Sequence, residues 1–358
     1  MEKNSDDCDG DSEKLYQYNL EAECEKDIAE LTKAIELNPN EASTYIKRGF
    51  VHQVKGEYDR AVSDFSMAIE LGDNSAYLDR SSVYRPKGEY TKAIADCDAF
   101  IGINPSSPLG YWERGRVWMH MGEYDKAITD YTRPIEMYPD DDSTYRQRGM
   151  AYVDMGENEK AIADLNKAVS LKPDYENIYQ RGWRYEGTDE HDKAIADFSE
   201  LINIDPDNFD SYYSRGWAYA RKGQYDRAMA DFNRLVKLNP SSSQAYDSRG
   251  EAHPSRGEFD EAIADFTKAI DLGDVYCYLV RASAHYKKGD YGKAIADYTA
   301  EIELCRQDPP IAYYERGHAH KMVGNKAEAI ADFRMFIKVS QDSELIEESK
   351  REIERLSA

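Results

Sequence analysis

The chain of 358 residues is poor in the residues that most often carry covalent or metal chemistry. It has five cysteines (Cys8, Cys24, Cys97, Cys277 and Cys305), an odd, scattered set with no Cys-x-x-Cys pair, which indicates neither a disulfide framework nor a zinc site. A reducing compartment follows as the simplest expectation. No run approaches the roughly 20 apolar residues of a membrane span, and the opening MEKNSDDCDGDSEK has no apolar stretch of signal-peptide type. A soluble cytoplasmic protein is expected. Basic residues are also short: 46 Lys and Arg face 69 Asp and Glu, for a net charge of -23. That balance argues against binding nucleic acid through its phosphates and against anionic membranes. No Gly-rich phosphate loop, Gly-x-Ser-x-Gly elbow or His-Glu-x-x-His helix occurs, so no catalytic residue, metal ligand or cofactor is assigned and the chain reads as non-enzymatic.

What the chain has in quantity is self-similarity. YIKRGFVHQVKGEYDRAVSDFSMAIELG from Tyr45 returns as YWERGRVWMHMGEYDKAITDYTRPIEMYP from Tyr111 and as YSRGWAYARKGQYDRAMADFNRLVKLNP from Tyr213. The small residue after each Arg (Gly49, Ser81, Gly115, Gly149, Gly182, Gly216, Gly250, Ala282, Gly317) marks nine copies at spacings of 32 to 35. A degenerate earlier copy ends at Pro39, making ten. Within a copy, Tyr45, Gly49 and His52, and then Ala61, Phe65 and Ala68, follow helical spacing, so each copy is two helices broken near Gly56 and its equivalents. The Ala61 column is Ala in all nine full copies, so small residues there and at Gly49 admit close helix approach, with Phe65 and its equivalents filling the space beside them.

This pattern at a period near 34 resembles the tetratricopeptide repeat, over residues from about 15 to 340. The resemblance implies an all-α, right-handed α-solenoid of about ten helix-turn-helix hairpins, whose first helices line a concave groove and whose ends need polar caps. The expected layout is an acidic, disordered leader at 1–14; an array at 15–341 in copies 15–41, 42–73, 74–107, 108–141, 142–174, 175–208, 209–242, 243–274, 275–309 and 310–341; and a C-terminal capping helix at 342–358. Two copies end in Leu-Gly-Asp rather than Asn-Pro, and Pro86, Pro134 and Pro254 predict local irregularity.

One column departs from the family pattern. The residue before the marker is Arg in every full copy (Arg48 through Arg316), and the second helices carry a matching Asp column (Asp64 through Asp332). Either each Arg pairs with an Asp of its own or the adjacent hairpin in a partly buried ladder, or these are solvated charges worth about 0–1 kcal/mol per pair. His52, His253, His285 and His320 occupy a column that is Tyr in other copies and read as core substitutes for it, since same-column side chains on helices about 8–10 Å apart do not readily share an ion.

The resemblance places function on the stripe represented by Ile46, Phe50 and Gln53. From Trp112 to Arg221 it becomes rich in Trp, Tyr and Arg, the types that dominate binding hot spots. The candidate groove is Trp112, Arg116, Met119, Arg146, Met150, Tyr179, Trp183, Tyr213, Trp217 and Arg221, set against packing between successive first helices. Trp118 falls on the packing stripe and reads as core. The asparagines with which some relatives grip a terminal carboxylate are missing from the Phe50 and Lys47 columns. The expectation is a scaffold that binds an extended or helical partner segment, apolar with some acid; the alternative is a self-assembling structural protein. Acidity is uneven, since residues 1 to 30 hold 11 acids and 3 bases, so the expected groove lies in the least acidic part.

Overall fold

In a computed structural model the described residues are 7–253, 257–304 and 310–357, with side chains from residue 21 onwards. Pro254, Cys305 and the first six residues of the expected leader therefore lie outside them, as does the side chain of Cys8. Among the described residues every regular element is a helix, and the chain is an all-α solenoid of stacked hairpins. It divides into two compact units, residues 1–180 and 181–358.

The first unit opens with α1 (Asp7–Leu37) and continues as the pairs α2 (Ala42–Val54) with α3 (Tyr58–Glu70), α4 (Ala76–Tyr84) with α5 (Tyr90–Ile103), α6 (Pro108–His120) with α7 (Tyr124–Met137), and α8 (Asp142–Asp154) with α9 (Asn158–Leu171). The unit boundary falls inside α10 (Tyr175–Gly187), the partner in sequence of α11 (His191–Ile204). The second unit then holds α12 (Phe209–Arg221) with α13 (Tyr225–Leu238), α14 (Ser243–Ala252) with α15 (Phe259–Asp271), α16 (Cys277–Lys288) with α17 (Tyr291–Leu304), and α18 (Pro310–Met322) with α19 (Lys326–Val339), closed by α20 (Ser343–Ser357).

The first expected copy is not a hairpin. Residues 15–41 contain no glycine to stop a helix, and α1 runs through them unbroken as one 31-residue helix that reaches back to Asp7. Among the described residues there are thus nine hairpins, with a single helix before them and another after. Turn glycines serve the other copies: Gly56 has φ 75°, Gly122 73° and Gly324 84°, conformations open to a residue without Cβ. Where the sixth copy lacks that glycine, Asp189 takes φ 60°, the only non-glycine positive φ among the described residues.

Steric fit closes each hairpin. A Cβ placed on Gly49 would lie 2.8 Å from Cε1 of Phe65, and one on Gly216 would lie 2.6 Å from Cε1 of Phe232. Ser81 is tolerated in the same column because Cys97 replaces the ring, and their Oγ and Sγ meet at 3.2 Å. Ala61, Phe65, Ala127, Tyr131, Ala228 and Phe232 are fully buried. Pro86 stops α4 three residues past Ser81, where α2 and α6 run five past Gly49 and Gly115, whereas Pro134 is accommodated and buried inside the continuous α7. At the C-terminal end, Leu345, Ile346, Ile353 and Leu356 of α20 pack on the cluster around Tyr314, Phe333 and Phe336, as a cap requires.

The ladder exists, and each rung lies within one hairpin. All nine arginines bind the Asp sixteen residues on through two parallel bonds, Nε to Oδ2 at 2.7–2.9 Å and Nη2 to Oδ1 at 2.6–2.9 Å. The Asp side chains are buried while the guanidiniums keep 16–23% exposure. A third nitrogen ties rungs to the preceding helix: Nη1 of Arg48 donates to Thr32 of α1, and between hairpins that of Arg80 donates to Ser66, that of Arg215 to Ser199 and that of Arg281 to Thr267. Much of the tyrosine in the chain belongs to the same device, since the ring three residues before the Arg lies under its guanidinium at 5.8 Å for Tyr45, 5.6 Å for Tyr212 and 5.3 Å for Tyr278.

The histidines turn out to be more than tyrosine substitutes. Two of them lie between the hairpin turn and the ladder carboxylate: His52 Nδ1 meets Glu57 Oε2 at 2.7 Å with Nε2 3.8 Å from Asp64, and His253 Nδ1 meets Glu258 at 2.8 Å with Nε2 3.3 Å from Asp265. The bond from His52 holds the Glu57 carboxyl down at about 2.

Candidate functional site

The candidate residues divide between the units, with Trp112, Arg116, Met119, Arg146, Met150 and Tyr179 in the first and Trp183, Tyr213, Trp217 and Arg221 in the second. All stand on first helices, because these present the stripe that does not face the second helix of their own hairpin.

In the first unit Trp112, Arg116, Met119, Met150 and Tyr179 are half-buried. Arg116, one turn after Trp112, lies over its indole at 4.8 Å and donates through Nη1 to Glu113 Oε2 at 3.1 Å. Arg85 approaches the same carboxylate, with Nε 3.6 Å from Glu113 Oε1, and its Nη1 lies 3.2 Å from His120 Nε2. Glu113 is only 5% exposed, and burial pushes its carboxyl above the ordinary range against the pull of Arg116 and Arg85. Burial also lowers the Arg85 guanidinium, with Arg116 adding a like charge, and keeps His120 below its usual value. Arg146 is otherwise engaged: it donates to Asn177 Oδ1 at 2.9 Å, and the Asn177 amide donates to Asp142 at 2.8 Å, a structural tie between neighbouring first helices. Tyr179 stacks on Tyr175 at 5.4 Å.

In the second unit Trp183 remains 38% exposed while its ring meets Phe198 edge-on at 6.1 Å. Trp217 is more deeply set, 5.3 Å from Phe232 and 6.4 Å from Tyr213, so part of its role is packing inside its own hairpin. Arg221 places Nε 3.3 Å from Glu186 Oε1, and Glu186 also bonds His191 Nδ1 at 3.0 Å. Arg116, Arg146 and Arg221 each contact an internal partner, because first-helix acids and amides such as Glu113, Asn177 and Glu186 are buried among them. Trp118, expected in the core, is corrected. It is half-buried in an open pocket with Arg114, Asp125 and Lys126, the Lys126 ammonium 4.5 Å over its ring, because its column is the tyrosine column in which a cation eight residues on covers the aromatic face.

The importance of Glu113, Glu186, Arg85 and the Tyr131 hydroxyl was not read from sequence. The available signal was positional: an acid in a column that is otherwise largely Gln, Ser or Lys, and a Tyr where most copies carry Phe. Buried polar atoms without a hydrogen-bond partner gather at these places. They include Arg85 Nε, Trp112 Nε1, Glu113 Oε1 and the Tyr131 hydroxyl in the first unit, and Arg184 Nε, Glu186 Oε1, Ser214 Oγ and Trp217 Nε1 in the second.

Among the described residues one group has metal-ligand proximity, Asp247, Asp274 and Cys277, with ligand atoms within 4.8 Å of one another. Its chemistry does not fit an ion. Cys277 Sγ donates to Asp247 Oδ1 at 3.3 Å, and burial raises both groups, which favours the protonated forms that metals do not bind.

A tetratricopeptide-repeat model matches residues 47–108, 213–276, 248–310 and 279–343, and a second TPR-repeat model matches 149–180 and 189–223. The chain is a tetratricopeptide-repeat protein. Similar solved folds include yeast Tom70, at 15% identity and a TM-score of 0.53 over 94% of this chain and 86% of that one. The C-terminal part of a TPR repeat-containing protein from Cytophaga hutchinsonii aligns at 17% identity and a TM-score of 0.54, over 66% of this chain and 98% of that one. A MamA crystal structure shares 30% identity over 44% of this TPR chain and 93% of its own, at a TM-score of 0.41. No helix among the described residues is long and apolar enough to cross a membrane.

Proposed function

We propose that this TPR protein is a non-enzymatic scaffold whose first-helix stripes hold a segment of a partner protein, extended or helical, apolar with some acid. In the first unit the stripe is Trp112, Arg116, Met119, Met150 and Tyr179, and in the second it is Trp183, Tyr213, Trp217 and Arg221, each a contact surface of its own unit. Arg146 drops to a supporting role because Asn177 already occupies it.

The observation that carries the reading is Trp183. A large aromatic ring left 38% exposed, yet braced edge-on by Phe198, is a fixed apolar surface that gains by covering and loses little side-chain freedom when covered. Catalysis has no comparable support among the described residues: the thiol that meets a carboxylate, Cys277 on Asp247, is raised by burial away from the thiolate, and the other perturbed acids lie beside arginines or other acids.

The test is Trp183→Ala with Trp217→Ala. The double variant should lose partner binding while its mass in solution is that of the wild type, whereas a change of oligomeric mass with partner binding intact would transfer the role of these rings to self-assembly.

A further inference from the structure

One cluster in the first unit is explained by neither hairpin packing nor the Arg–Asp ladder. Because Pro86 ends α4 early, Arg85 is the C-cap residue, its N–H still bonded to Ser81 O, and its guanidinium reaches across to α6. There Arg85 and Arg116 share the one buried carboxylate of Glu113, at 3.6 and 3.1 Å. Both guanidiniums keep some exposure, 16% and 32% of their side chains.

Beneath them stands Tyr131, fully buried, with its hydroxyl unpartnered and within the electrostatic reach of Arg116, Glu113 and Arg85. Five of the nine copies place Phe in that column, and the other Tyr, Tyr298, bonds Ser283 at 3.3 Å. The cluster is rich in donors: Arg85 Nε, Trp112 Nε1 and the Tyr131 hydroxyl lack acceptors, against the single free acceptor Glu113 Oε1. Burial and the two arginines hold His120 below its usual value, and the charged side chains of the group are Arg85 and Arg116 against Glu113, with Asp79 beyond it. The next acid, Asp79, is pushed up to about 6 by burial, with Asp73 and Glu113 acting on it as like charges.

We propose that Arg85 and Arg116 form an acid-reading subsite that takes one aspartate or glutamate side chain from a partner segment running through the stripe, with Trp112 covering the apolar residue beside it. The inference rests on the groove reading above and names what part of that groove selects. With Glu113 beside the two guanidiniums and Asp79 beyond it, the site suits a single carboxylate rather than a doubly charged phosphate, whose second charge both acids would repel. The stripe also continues past the cluster on α4 through Ser82 and on α8 through Met150, which suits a chain passing through rather than ending there.

The probe is a random dodecapeptide display library selected on the full chain, followed by synthesis of the best binder with both ends blocked in acid, amide and phosphoserine forms, and once with a free C-terminus. Selected peptides should carry an acid beside an apolar residue, and acid→amide should weaken binding by roughly tenfold or more. That difference should vanish in Arg85→Gln/Arg116→Gln. Glu113→Gln should tighten binding of the acid form by several-fold, a direction that damage to the fold does not produce. Equal binding of acid and amide, weaker binding in Glu113→Gln, or preference for the phosphoserine or free-terminus form would each overturn the subsite. Peptides that bind through Trp183 and Trp217 without an acid preference would overturn it while leaving the scaffold reading standing, and selection of no stripe-dependent peptide would overturn both.

Discussion

Removing one partner from a ladder rung should cost far more than removing both. Arg215 meets Asp231 through bonds of 2.8 and 2.7 Å, holds Ser199 with its third nitrogen at 3.1 Å, and leaves Asp231 only 5% exposed. A buried carboxylate stripped of its guanidinium costs about 3–5 kcal/mol when it stays charged. Asp231 has a partial escape, because burial already holds its carboxyl above the ordinary range despite Arg215, so it can take up a proton. Arg215→Met should therefore destabilise by about 3 kcal/mol, and Asp231→Leu by a similar amount through the orphaned guanidinium, while the double substitution should cost no more than about 2 kcal/mol. The implied coupling is at least about 4 kcal/mol. Urea unfolding followed by far-UV circular dichroism gives the totals, and native-state hydrogen exchange in α12 and α13 localises them, since repeat arrays open piecewise. The same cycle on Arg133 and Glu136, which are 53% and 55% exposed, should give less than about 0.5 kcal/mol. A coupling that small at Arg215–Asp231 would refute the view that the ladder is a buried structural element.

Asp189→Gly should raise the thermal midpoint, relieving about 1 kcal/mol of left-handed strain at φ 60°, and a scanning calorimetry trace that moved downward would contradict this. Gly216→Ala should destabilise by about 1–3 kcal/mol, because its Cβ would meet the Phe232 ring at 2.6 Å, and unchanged urea unfolding would show that the ring has room. Tyr131→Phe should leave stability unchanged or raise it by about 1 kcal/mol, as it removes a buried hydroxyl with no partner; a loss of that size would mean that the hydroxyl is bonded. Burial lowers His285, His318 and His320, so their neutral forms favour the folded state; that contribution is present above the unfolded value near 6.5 and is lost as pH falls through it toward the folded values. Asp79, raised to about 6, works in the opposite sense. In an Asp79→Asn background the thermal midpoint should fall by a few degrees between pH 7.5 and 6, and a rise would contradict the assignment.

The repeat was legible because it is written in steric residues. A glycine that admits a ring, an alanine column and a turn glycine each state a backbone requirement, and Gly49, Ala61 and Gly56 meet it as read. The ladder was legible as two columns but not as rungs, since sequence spacing does not say whether Arg48 reaches Asp64 or a neighbouring hairpin. The first copy was misread because its second-helix signature, ending at Pro39, was extended to a hairpin although no breaker separates two helices within residues 15–37.

The candidate site was legible only as a list of residue types. Helical period gives a stripe but not depth, so it could not separate Trp183, which is exposed, from Trp217, which leans on Phe232. Nor could it foresee that Asn177 would engage Arg146, or that Pro86 would deliver Arg85 to Glu113.

The central claim is that the first-helix aromatics hold a partner. Affinity capture with the wild type beside the Trp183→Ala, Trp217→Ala double variant, both confirmed as folded by circular dichroism, tests it most directly. The account predicts a protein retained by the wild type and lost from the variant; the same proteins retained in equal amount by both would contradict it.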